Sequence, residues 1–135
     1  MFVKVLNNGI VPKRATSGSA GYDLYTPTDL VLNPGLHKIK LGISVHLPEK
    51  TFGSIRCRSS LAKEGISVEA GVIDEDYRGE VAVMLRVRFP VKCPRGHAIA
   101  QLIVQPYLSP GIIVMDDLVT TVRGTGGFGS TNATD

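Results

Sequence analysis

A chain of 135 residues, 43% hydrophobic and 20% charged, is long enough for one folded domain and too apolar to remain disordered. Its net charge of +3, with the basic residues scattered, argues against a nucleic-acid surface and is compatible with a small polyanionic ligand. No apolar stretch approaches the roughly 18 residues of a membrane helix, and the first residues lack the pattern of a signal peptide. The two cysteines, Cys57 and Cys93, form no zinc-type spacing, so reduced, buried thiols are expected. The expected setting is soluble and intracellular, cytoplasmic or nuclear, with neither nucleic acid nor membrane as partner.

Residues 2–6 read as a strand closed by Asn7-Asn8-Gly9, and residues 12–18 as a basic loop with Lys13 and Arg14. Gly21-Tyr22-Asp23-Leu24 is a turn feeding a strand. Asn33-Pro34-Gly35 is a turn signal, followed by two short strands, 36–41 and 43–47, that meet at Gly42. Residues 52–58 alternate in part, with Ile55 and Cys57 on one face. Residues 58–65 are the one helical piece, which Ser59 or Ser60 can cap and Gly65 can end. Residues 80–89 are the clearest strand, with Val81, Val83, Leu85, Val87 and Phe89 facing one way. A turn region over 90–96 precedes strands over 98–104 and 112–115. Short strands punctuated by Gly and Pro, with almost no helix, predict an all-β sandwich, jelly roll or barrel. Residues 123–135 hold four glycines and one large apolar residue, too little for a core. They are expected to be a mobile arm following a domain over 1–122.

Five segments carry possible chemistry. Gly71-Val72-Ile73-Asp74-Glu75-Asp76-Tyr77-Arg78-Gly79 suggests a tight hairpin with an open backbone. On it, Asp74 can activate a water as a general base, and Tyr77 can press on a sugar or base. The same acids equally suit an ordinary polar turn. Arg58-Ser59-Ser60 at a helix start is either an anion site or a simple cap. Asp23, just after a turn, can touch a metal, orient a neighbour or close an Asx turn. Gln101, inside an apolar strand, needs partners, structural or from a ligand. In the arm, Gly124, Gly126 and Gly129 match the spacing of a dinucleotide motif, but no helix follows, and Ser130 stands where a phosphate loop requires lysine. There remain backbone N–H groups able to wrap phosphates, with Arg123 to pair them and Phe128 to stack on a base.

Taken together and in order, Ala20-Gly21-Tyr22-Asp23-Leu24, Arg58-Ser59-Ser60-Leu61-Ala62, residues 71–79, residues 96–103 and residues 123–131 resemble the five motifs of the trimeric deoxyuridine triphosphatases (dUTPases). The resemblance implies a β jelly-roll protomer with one short helix, a homotrimer sharing its active sites between subunits, and hydrolysis of dUTP to dUMP and pyrophosphate with Mg2+. By similarity, Asp74 matches the general base and Tyr77 the residue that leaves no room for a 2′-hydroxyl. The backbone around Gly71, Val72 and Ile73 would read uracil. Arg58, Ser59, Ser60 and Gln101 match phosphate contacts, and Asp23 an acid that supports the metal through water. Arg123, Phe128, Gly129 and Ser130 match the arm that closes over the nucleotide. Ser60 stands where the family usually has glycine, His97-Ala98 where it often has an acid and arginine, and Val68 where some relatives carry asparagine. Two other readings are a catalytically idle nucleotide-binding relative and a dCTP deaminase of the same fold.

Overall fold

The alternating run after Gly79 forms the strand its pattern predicts, because a strand flanked on both edges buries one row of side chains. A computed structural model describes residues 1–129. Its elements are β1 (Phe2–Val5), β2 (Tyr22–Tyr25), β3 (Leu30–Leu32), β4 (Gly35–Lys40), β5 (Ile43–His46), β6 (Thr51–Arg56), α1 (Ser59–Ala62), β7 (Ile66–Ala70), β8 (Val72–Ile73), β9 (Ala82–Val87), β10 (Val91–Cys93) and β11 (Ala98–Pro106). The fold is an all-β jelly roll with one short helix among the described residues. Its ladders are antiparallel and run β2-β11-β6-β8, β4-β9-β7, β1-β5 and β10-β3. One core cluster draws from all four: Val83 and Leu85 of β9, Ile99 and Leu102 of β11, Val45 of β5 and Leu32 of β3.

Several local expectations change. Phe89 is exposed rather than core, because β9 ends at Val87 and the ring instead covers Gly65. The helix shrinks to one turn, in which the Leu61 and Ala62 N–H groups donate to the Arg58 carbonyl at 3.0 and 3.2 Å. Neither serine caps it, since Arg58 occupies the cap position without a side-chain bond. Gly65 does terminate it, at a left-handed φ of +79°. The turn region over 90–96 contains β10, whose three residues pair with the equally short β3. Residues 112–115 form no strand. Backbone donors and acceptors need a neighbouring strand, and none of the described residues supplies one there.

Residues 71–79 lie in the connection of a hairpin, but a wide one whose β8 leaves to join another sheet. β7 before them and β9 after them pair with each other, while β8 pairs with β6, setting Ile73 opposite Gly53 and Val72 opposite Ser54. Gly53 makes this approach possible, since a Cβ there would lie 2.9 Å from Leu102 and 3.2 Å from Ile73. Ile73 is buried and Val72 exposed, so two strand residues suffice to anchor the segment.

Candidate active site

Asp23 on β2 and Gln101 on β11 are brought side by side by strand register, and Arg58, two residues past β6 at the cap of α1, joins them. Gln101 lies opposite Asp23 on one edge and Arg56 on the other. Arg58 Nε sits 3.2 Å from Asp23 Oδ1, and its Nη1 donates to the Ala98 carbonyl at 3.3 Å. Gln101 Nε2 donates to the Cys57 carbonyl at 3.0 Å. The amide oxygen and stem of Gln101 rest against Gly21, where a Cβ would collide with them. These residues, with Ser59 and Ser60, line a cavity of about 290 Å3. The serine hydroxyls are exposed and take no part in capping. A cavity offering one guanidinium, serine hydroxyls and an amide suits an anion with several oxygens.

A second cavity, of about 320 Å3, is lined by residues 70–74, Tyr77 and Glu80, with Ile55, Met84 and Lys38 among the others. The Tyr77 N–H donates to the Asp74 carbonyl at 3.1 Å, closing the turn that carries the three acids. Its hydroxyl donates to the Glu80 carbonyl at 2.9 Å. Glu75 accepts from the Lys50 N–H, pinning the far side of the turn. Asp74 is exposed, and it also faces a neighbouring cavity of about 500 Å3 with Phe52 and Tyr107. The Gly71 carbonyl is engaged by the Ile55 N–H at 2.9 Å. Gly71, Val72 and Ile73 therefore stand in the same cavity as Asp74 and Tyr77, and this cavity shares no lining residue with the one around Arg58.

The arm residues stand apart from both. Arg123 Nε donates to the Gly126 carbonyl at 2.8 Å, and the Gly126 N–H donates back to the Arg123 carbonyl at 3.1 Å. Phe128 is fully exposed, and Gly129 has φ +87°. Ser130 lies outside the described residues.

A model of the dUTPase family matches residues 7–132. The chain belongs to the dUTPase family. Family members similar to it include the deoxyuridine 5′-triphosphate nucleotidohydrolase of Solanum lycopersicum, 46% identical over 95% of this chain and 78% of the relative. That of Paramecium bursaria Chlorella virus 1 is 42% identical over 95% and 94%. Among solved structures, the Staphylococcus bacteriophage 80alpha dUTPase with dUPNHPP superposes with a TM-score of 0.89 at 25% identity, covering 96% of each chain. A mutant dUTPase of phage phi11, whose structure details the coordination of a structural Mg(II) ion, superposes at 0.80 and 22% identity, covering 86% of this chain and 96% of its own.

Asp23 is the one carboxylate lining the Arg58 cavity and is already paired with that arginine. One carboxylate is compatible with a magnesium ion only if most of its oxygen ligands come from elsewhere, and no group of three or more His, Cys, Asp or Glu among the described residues could hold one. Several supports escape sequence reasoning: the Cys57 carbonyl under Gln101, the Glu80 carbonyl under the Tyr77 hydroxyl, and the seat that Gly21 makes for Gln101. Backbone carbonyls carry no residue-type signal, so only the Gly21-Tyr22-Asp23 turn could have pointed to one of them. Among the described residues, no helix is long and apolar enough to cross a membrane.

Proposed function

We propose that this chain is a dUTP diphosphatase, converting dUTP and water to dUMP and pyrophosphate. The observation that carries it is the convergence of Asp23, Arg58, Ser59, Ser60 and Gln101, from separate segments, on one anion-suited cavity in a chain of the dUTPase family. In this reading uracil and deoxyribose occupy the second cavity. The backbone of Gly71, Val72 and Ile73 reads the base, and the Tyr77 ring closes off the space of a 2′-hydroxyl. Asp74 takes a proton from the water that attacks the α-phosphorus, and the bond from that phosphorus to the bridging oxygen breaks as pyrophosphate leaves. Arg58, the two serines and Gln101 hold the phosphates. Asp23 would support a bound Mg2+, whose charge would offset that of the triphosphate.

Neither cavity alone holds both the phosphate donors and Asp74, and this supports sites completed between subunits of a homotrimer. The exposed apolar run of Leu108, Ile112, Ile113, Val114, Met115, Leu118, Val119 and Val122 supports the same reading, since a patch of that size is normally covered by a partner. Residues 123–135 then act as an arm over a neighbouring site, with Arg123 on the terminal phosphate, Phe128 on the uracil, and Gly129 and Ser130 wrapping the phosphates. Its closure excludes water and completes the site. The test is pyrophosphate release with Mg2+ from dUTP, dCTP, dTTP and UTP in parallel. Turnover confined to dUTP is expected. Ammonia release from dCTP would instead assign a deaminase, and no turnover from folded protein an idle binding module.

A further inference from the structure

We propose that Gly79 sets the selectivity of this site for deoxyribose over ribose, by forming the seat on which the Tyr77 ring lies. The inference rests on the reading of Tyr77 as the wall against a 2′-hydroxyl and concerns what makes that wall rigid.

Tyr77 is 45% exposed, so packing alone does not fix its side chain. Two contacts do. A Cβ placed on Gly79 would have three Tyr77 atoms as its nearest neighbours, Cζ at 2.6 Å, Cε1 at 2.9 Å and the hydroxyl oxygen closer still. The ring therefore lies directly on the Gly79 backbone. The φ of Gly79 is outside the left-handed region, so its backbone can carry a side chain, and the conflict is with the ring. The second contact is the bond from the Tyr77 hydroxyl to the Glu80 carbonyl at 2.9 Å.

That carbonyl is itself held by the body of the fold. The Glu80 carboxylate accepts from the Gly42 N–H at 2.9 Å. The next residue, Val81, donates to the Ile43 carbonyl at 2.8 Å and accepts from the Leu41 N–H at 2.9 Å. The phenol end of the ring is thus seated against Gly79 and bonded to Glu80, which is in turn tied to the β4–β5 turn. A side chain at position 79 displaces a rigid ring, which cannot bend out of the way as a flexible chain would. Rejection of an extra hydroxyl by a fitted pocket is worth up to about a hundredfold, and it survives only while the wall keeps its place.

The experiment compares kcat/KM for dUTP and UTP in the full-length enzyme and in Gly79→Ala, Tyr77→Phe and Tyr77→Ala, with thermal melting to establish folding. Gly79→Ala is expected to melt near wild type while its dUTP-to-UTP ratio falls by about tenfold or more. Tyr77→Phe, which keeps the seat and loses the bond to Glu80, should show a smaller fall. A wild-type ratio in Gly79→Ala, with the ratio lost in Tyr77→Ala, overturns this inference and leaves the Tyr77 reading standing. A wild-type ratio in Tyr77→Ala removes the Tyr77 reading itself. If Gly79→Ala does not fold, the double variant Gly79→Ala/Tyr77→Phe, which removes the hydroxyl nearest the added Cβ, decides: a ratio below that of Tyr77→Phe alone supports the seat, and a ratio equal to it overturns the inference.

Discussion

The chemistry asked of single residues is uneven. Asp74 is exposed, on a turn closed by its own carbonyl and the Tyr77 N–H, so its carboxylate is available to a water. A positioned base contributes about 10²–10⁴-fold. Asp74→Asn should therefore lower kcat for dUTP by at least about a hundredfold while nucleotide affinity, measured calorimetrically, stays close to wild type. Loss of affinity with unchanged turnover of bound substrate would refute the base role. Arg58 does two jobs, pairing with Asp23 and reaching the Ala98 carbonyl, so the protein itself holds it in place. Cys93 differs again. Burial, and secondarily the charge of Glu64, push its thiol above the ordinary cysteine range, which keeps it protonated and inert near neutrality. Asp74, Tyr77 and Arg58 were legible as candidates from their motifs. The carbonyls that steady them were not, because any residue type can supply one.

At the scale of elements, the sequence shows β9 and also the four-residue strands β1, β2 and β5, but not the three-residue β3 and β10. β9 shows its period plainly because both its edges are paired and one face is core. β3 and β10 are each three residues long, below the length at which a period of two is distinguishable from a turn. Residues 71–79 do connect two antiparallel paired strands, β7 and β9, yet β8 within them finds its partner in β6 of another sheet. The arm is an element of a different kind. Its only large apolar residue, Phe128, contacts no core in the described chain. Deleting residues 123–135 is expected to leave the melting temperature within a few degrees of wild type while dUTP turnover falls by about a hundredfold or more, as removal of a closing lid would. A truncated enzyme with full activity would show that the arm is dispensable.

For the whole molecule, the deciding feature is that the Arg58 and Tyr77 cavities share no residue, while a long apolar segment leaves the body after β11. Exposed apolar side chains from Leu108 to Val122 are unfavourable in water, at roughly 25 cal/mol per Å2. Sedimentation equilibrium is expected to give a trimer for the full chain. A chain ending at Pro106 should no longer sediment as that trimer and should lose dUTP turnover entirely. An active monomer would contradict a shared site.

The sequence by itself determined the family, the all-β class and the identity of the chemical groups. Those follow from residue types at fixed spacing and from local alternation, both of which are written along the chain. The tertiary structure decided which groups meet. Gln101 lies between Asp23 and Cys57 because β11 is central in its sheet, and Tyr77 is held because Gly79 leaves room and Glu80 is tied to Gly42. Strand order and register bring together residues distant in sequence, and such non-local pairings leave no periodic trace in the residues they join.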